Sequence, residues 1–172
     1  MQHNEELIRG LKQIDPSKPY TPELFDALAL LIISVAIEAV CLRVNPQTKK
    51  IEVLLTQRSL KNTAYPGEWH CPGSILRRGE DIKDVFERLA EREFGVKVLS
   101  YQFIVNVNNP TEARGHFFSL VYLCKIDSQN NQPKGTWFPV DELPENTIKH
   151  HRHRVIPAAV GAFSALDISI GL

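Results

Sequence analysis

The longest apolar run, residues 27–37, is interrupted only by Ser34. A membrane span needs about 20 such residues, so this run reads as a helix end feeding a buried strand. From 34 to 44 the chain is β-branched and apolar, the pattern of a strand covered on both faces. Asn45-Pro46-Gln47-Thr48 supplies a turn and residues 51–57 the returning strand. Residues 58–68, rich in polar, Pro and Gly residues, read as a loop. At about 100° per residue, Ile82, Val85, Phe86 and Leu89 share one stripe. This spacing predicts a helix over 81–94, closed by Gly95 as a left-handed cap. Two strands are expected over 96–107 and 116–126, with loops over 108–115 and 127–135. Residues 136–140 read as a short strand, and 155–166 as a last helix with Pro157 in its first turn. Ahead of these, 4–12 is a short helix, broken by Asp15-Pro16-Ser17-Lys18-Pro19. Thr21 then caps a second helix, opened by Pro22 and running to about Leu31. Strands mixed with helices predict an α+β or layered α/β/α fold.

Composition narrows the class. The chain has 172 residues, 43% apolar and 23% charged, which is enough apolar material for a core. That length suits a main domain over 34–172 carrying a helical N-terminal extension over 1–33. Lys plus Arg number 20, as do Asp plus Glu, so the formal charge is zero. Bulk electrostatic binding to nucleic acid or an acidic membrane is therefore not expected. Cys41, Cys71 and Cys124 are odd in number and lack CxxC spacing. They read as small buried thiols of a cytoplasmic protein, not a disulfide frame or zinc site. Glu5 and Glu6 stand where a signal peptide would want positive charge.

The candidate chemistry lies in residues 69–96, WHCPGSILRRGEDIKDVFERLAEREFGV. Glu93 falls on the apolar stripe, within one turn of Leu89. A carboxylate turned toward a core needs a cation or several donors. Arg88 and Arg92 lie to one side of it, and a bound Mg²⁺, a hard cation, would also serve. Glu87 and Glu91 face away with Lys83, as a solvated face. Pro72-Gly73-Ser74 reads as a tight bend that lets backbone groups approach a ligand, followed by Arg77 and Arg78 on a short strand. Glu80 is either a helix-start carboxylate favoured by the dipole or a second carboxylate near the metal. Arg58, Arg77 and Arg78 flank this stretch as phosphate candidates. Tyr65, Trp69 and Phe117 offer rings to stack a base or sugar, although Trp69 reads first as core. His116 is either a proton-transfer group or a loop-edge histidine packed on Phe117. Glu38, which interrupts an apolar strand, is a further candidate for that base, although it reads first as a strand end facing solvent or an interface. His150-His151-Arg152-His153-Arg154 is read as a solvated helix start, poorly spaced for zinc.

These residues resemble the Nudix box. With Ser74 in the place of the box's first glycine, Glu80, Arg88, Glu93, Gly95 and Val96 match it. Trp69 and Pro72-Gly73 resemble the usual entry to the box. Leu54-Leu55-Thr56-Gln57-Arg58 resembles the family's strand ending in a substrate-facing arginine, and residues 136–143 its late strand and turn. Motifs in this order cover roughly residues 34–166. The resemblance implies an α/β/α sandwich with a mixed sheet, and a hydrolase dependent on Mg²⁺, with Mn²⁺ as a substitute. Leu89 and Arg92 occupy two positions where the box usually carries metal-binding carboxylates. What is left implies a single Mg²⁺ rather than a multi-metal centre. The same reduction marks GDP-mannose mannosyl hydrolases, to whose box Phe86-Glu87-Arg88-Leu89 through Glu93-Phe94-Gly95 is similar. That branch cleaves at the sugar carbon and implies Glu93 and the Ser74 carbonyl as metal ligands. Its Gln-His pair before the late Trp has no His here, which leaves Asn131 or Gln132 as a further ligand.

The resemblance thus implies a Nudix-type hydrolase of a nucleoside-diphosphate-linked substrate, such as a nucleotide sugar. In it Arg88 orients Glu93, Glu93 holds the metal with Ser74 and Gln132, and Glu80 and His116 complete the catalytic set. Arg58, Arg77, Arg78, Tyr65 and Phe117 bind the small-molecule substrate. The family also implies a homodimer, and no nucleic-acid or membrane partner is expected. The alternative, motivated by Leu89 and Arg92, is an inactive Nudix-like module that binds a nucleotide or another anion.

Overall fold

In the computed structural model, which describes residues 2–16, 18–128 and 132–170, the β-branched run forms β1 (Ile33–Val44). The rest of the fold is arranged around this strand. It pairs antiparallel with β2 (Ile51–Gln57) and with β4 (Gly73–Ile75). On its other side it pairs in parallel with β6 (Gly115–Ile126), from Ile33 opposite His116 to Cys41 opposite Cys124. β5 (Val98–Glu112) pairs antiparallel with β6 and forms one edge. β3 (Trp69–His70) and β7 (Thr136–Pro139) both pair with β2. The seven-stranded mixed sheet runs β3-β2-β1-β6-β5 along its main path.

Alternation along β1 divides the core in two. Ile37, Ala39 and Cys41 pack with Val85, Phe86 and Leu89 of α3 (Ile82–Leu89). Val40, on the opposite face, packs with Val155 and with Ile156 and Ala159 at the start of α4 (Ile156–Ile170). Helices on both faces make the expected α/β/α sandwich. Before the sheet come α1 (Gln2–Lys12) and α2 (Pro22–Ala29). The Thr21 hydroxyl accepts from the Leu24 amide at 3.3 Å, the cap that the sequence calls for. Phe25 and Ala29 of α2 pack on Ala36, Ile75 and Phe117. All three cysteines are buried and free, and Trp69 packs edge to face on Phe138 at 4.9 Å. No described helix is long and apolar enough to cross a membrane.

Several elements differ from the sequence reading. The helix over 81–94 is not uniform: after Leu89 it widens into a π-helical turn, Ala90–Phe94, that ends at Gly95 with φ of 66°. The wide turn buries Phe94 completely and leaves Glu93 half-buried. The loop expected over 108–115 is almost all strand, because β5 pairs with β6 as far as Glu112 opposite Gly115. A register shift between Asn109 and Glu112 accommodates Pro110 on this edge strand. The bend at Gly73-Ser74 is itself strand, while Arg77 and Arg78 lie in the turn that follows it.

Candidate functional site

The register of β4 on β1 sets Gly73 against Glu38. A Cβ on Gly73 would stand 2.7 Å from Glu38 Oε2 and 2.8 Å from the Ile37 carbonyl, so only glycine admits this approach. Glu38 is not a solvent-facing strand end: it is 8% exposed, in the middle of the central strand. The Ser119 hydroxyl donates to its Oε1 at 3.3 Å, and His151 Nε2 lies 3.6 Å from its Oε2. His151 is 3% exposed, on a π-helical turn, His151–Val155, that leads into α4. The segment read as a solvated helix start thus turns one histidine fully inward. The Cys71 amide donates to His151 Nδ1 at 2.9 Å, so the proton of the neutral ring sits on Nε2, facing Glu38.

Burial favours the neutral form of both partners. It pushes Glu38 up to about 8, against the Ser119 hydrogen bond, with Glu112 adding to the rise and Arg58 and Arg114 opposing it. It holds His151 well below the ordinary histidine value, helped by His150, His70 and Arg58. His150 and His70 fall to about 4 for the same first reason. Ligand atoms of Glu38, His150 and His151 lie within 4.8 Å of one another. The trio is nonetheless a poor cation cradle. The neutral His151 ring has a proton on one nitrogen and an amide on the other, so neither is open to a metal.

A separate clamp shapes the loop before α3. Arg88 Nε and Nη2 donate to the two Glu80 oxygens at 3.0 and 2.7 Å. Nη2 also donates to the Ile75 carbonyl at 3.1 Å, and Nη1 to the Ser74 hydroxyl. The Arg77 amide donates to Glu80 Oε2 at 2.8 Å. Burial alone would raise Glu80, but Arg88 and the Arg77 amide hold it below the usual carboxylate range. Arg88 therefore fixes Glu80 and the loop, not Glu93 as expected, and both Glu80 oxygens are spent on the clamp.

Glu93 lines a cleft of about 540 Å³ together with Gly73, Ser74, Arg58, Arg77, Arg92 and Arg114. The N-terminal section closes one side with Lys18, Tyr20 and Phe25. A cavity of about 90 Å³ adjoins it, sharing Arg58, His70, Gly73, Ser74 and Arg114, and adds Glu38, Tyr65 and Phe117. Burial raises Glu93 above the ordinary carboxylate value, against the pull of Arg58, Lys134 and Arg92. Its carboxyl has no hydrogen bond or ion pair among the described residues.

Other expected site residues lie elsewhere. His116 bonds Asn108 Oδ1 at 2.6 Å and lines neither cavity, because strand alternation sends Phe117 inward and His116 outward. Arg78 is exposed in its turn, and Gln132 is exposed and away from the cleft. Asn131 lies outside the described residues. Arg114 was not anticipated. It sits at the tip of the β5–β6 hairpin, its guanidinium 5.0 Å above the Phe25 ring, and its buried Nε has no partner among the described residues. A basic residue before Gly115 in an apparent loop was the only signal for it.

The donor set fits one hard cation. Glu93 offers a free carboxylate beside the carbonyls of the Gly73-Ser74 strand, and hard oxygen donors suit Mg²⁺ or Mn²⁺. Leu89, 1% exposed in the core, and cationic Arg92 supply no further ligand.

Residues 36–159 match the model of the NUDIX domain. No curated protein matches the chain. Among solved structures, the NUDIX domain of Shewanella oneidensis NrtR, complexed with ADP ribose, is 20% identical with a TM-score of 0.59, over 91% of this chain and 97% of that one. Shewanella oneidensis NrtR complexed with a 27mer DNA is 21% identical at 0.60, over 76% of this chain and 62% of that one. A MutT NUDIX hydrolase from Burkholderia pseudomallei is 21% identical at 0.58, over 75% and 97%. At these identities the structures speak for the fold. The family model, which spans well over half of the chain, goes further: this chain belongs to the NUDIX family.

Proposed function

We propose that the chain is a NUDIX hydrolase of a nucleoside-diphosphate-linked substrate, working with a single divalent ion. One observation carries this reading: a free, half-buried carboxylate, Glu93, shares a cleft with Arg58, Arg92 and Arg114, none of which is in an ion pair among the described residues. Unpaired arginines around one open carboxylate suit a polyanion that arrives with a cation. Glu93 and the Ser74 carbonyl would hold the ion, with no role for Glu80 or Gln132. Bound there, Mg²⁺ would neutralise charge developing on the leaving phosphate.

The chain's own groups do the rest. Arg58 and Arg114 grip the diphosphate, and Arg77 extends the cationic wall. Tyr20, Phe25, Tyr65 and Phe117 line the cleft with rings suited to a base or sugar. The Arg88–Glu80 clamp keeps the β4 carbonyls in place. The ADP ribose in the NrtR NUDIX domain and the box pattern shared with GDP-mannose mannosyl hydrolases support this substrate class.

A second reading, a ligand-binding module without turnover, is favoured by Leu89 in the core and Arg92 at the cleft. One experiment separates the two. Wild type and Glu93→Gln are incubated with ADP-ribose, GDP-mannose, dinucleotides and nucleoside triphosphates, with and without Mg²⁺ or Mn²⁺. Metal-dependent turnover in wild type, lost by about 100-fold or more in the variant, supports the hydrolase. Tight binding without product in either form supports the module. Cleavage in ¹⁸O water then assigns attack to carbon or phosphorus.

A further inference from the structure

With His116 turned away from the cleft, the attacking water lacks the expected proton acceptor. We infer that Glu38 is that acceptor, a catalytic carboxylate on the central strand that lines the cavity adjoining the cleft at Gly73, bonded by Ser119 and faced by His151. The inference rests on the hydrolase reading above.

The geometry is specific. Glu38 lines the small cavity against Gly73, and Gly73 also lines the wider cleft that holds Glu93. Arg58 lies in the field of both carboxylates and lines both cavities, so it joins the two. Each Glu38 oxygen faces one neutral group: Ser119 on β6 reaches Oε1, and the His151 N–H faces Oε2. Neutral donors orient an anion without cancelling its charge, as a base requires.

The charged and titratable groups facing Glu38 are Glu112 and Arg114 from the hairpin, Arg58 and Tyr65 after β2, His70 on β3, Cys71 after it, and His150 and His151 before α4. In the step, one water proton passes to a Glu38 oxygen as the water oxygen bonds to the electrophilic centre, sugar carbon or phosphorus. The bond from that centre to the leaving phosphate oxygen breaks, and its electron pair departs with that oxygen. Glu38 later returns the proton to solvent.

The test compares wild type, Glu38→Gln, Glu38→Asp and Glu93→Gln for turnover of ADP-ribose and GDP-mannose with Mg²⁺, and for their affinity by calorimetry. In Glu38→Gln the expected result is affinity within about threefold of wild type and kcat lower by about 100-fold or more. Glu38→Asp, one methylene shorter, falls between and serves alone should the Gln variant fail to fold. Glu93→Gln loses metal-dependent binding as well. Wild-type kcat in Glu38→Gln, or in Glu38→Asp where that variant stands alone, overturns the role of Glu38 and leaves the hydrolase standing. Loss of affinity in parallel with kcat makes Glu38 a binding group and overturns it too. Absence of wild-type turnover overturns the hydrolase reading and this inference together.

Discussion

Glu38 is a carboxyl group kept where water scarcely reaches, and the molecule is less stable for it. In the unfolded chain it ionises above about 4.5, whereas in the fold it holds its proton up to about 8. Stability therefore falls as pH rises between those values and levels off above the second. Glu38→Gln removes this dependence. It is expected to match wild type near pH 4 and to exceed it near pH 8 by roughly a few kcal/mol, measured by urea unfolding at both pH values. A variant less stable than wild type at alkaline pH would show that the buried acid is better compensated than its surroundings indicate. The sequence offered Glu38 as a candidate base but favoured a strand end facing solvent. A glutamate inside an apolar strand has two readings, and the deciding groups, Gly73, Ser119 and His151, are brought to it only by tertiary pairing. Glu93 was legible because its partners on the stripe are neighbours on one helix.

At the scale of elements, β4 is short but exacting. Its three residues carry the Ser74 hydroxyl to Arg88, the Ile75 carbonyl to the same guanidinium, and Gly73 to Glu38. Gly73→Ala would drive a methyl into the Ile37 carbonyl as well as into Glu38. The Glu38 tip can swing aside, but the backbone of β1 cannot. The substitution is expected to cost about 1–3 kcal/mol in denaturant unfolding and to lower turnover more than affinity. Elements with strong periodicity were legible: β1, β2 and the start of α3 follow from their apolar positions. The hairpin was not, since Asn108-Asn109-Pro110-Thr111 has loop composition, and only cross-strand pairing with β6 extends it. The π-helical turn at Glu93 was hidden as well, because a wider turn uses the same residue types as an ordinary one.

Across the whole molecule, a chain with no net charge sets Arg58, Arg77, Arg92 and Arg114, none in an ion pair among the described residues, around one cleft. The aromatic floor comes from α2 and β6, so the residues before the sheet help to build the wall of the site. Arg114→Ala removes a half-buried guanidinium that stacks on Phe25 and whose Nε has no hydrogen-bond partner among the described residues. It is expected to weaken ADP-ribose binding by about 10- to 100-fold and to flatten its dependence on ionic strength, read by calorimetry at low and high salt. Unchanged affinity would place the ligand elsewhere on the surface.

The hydrogen bond from Cys71 to His151 has a consequence for how this family member can vary. Its donor belongs to the main chain, so the identity of the side chain at 71 is immaterial to it. Any residue that the fully buried core position admits and that keeps its backbone N–H would still dictate which imidazole nitrogen is protonated; proline would abolish that instruction. Small apolar drift at this site thus preserves the imidazole tautomer, while His151 itself has no such freedom.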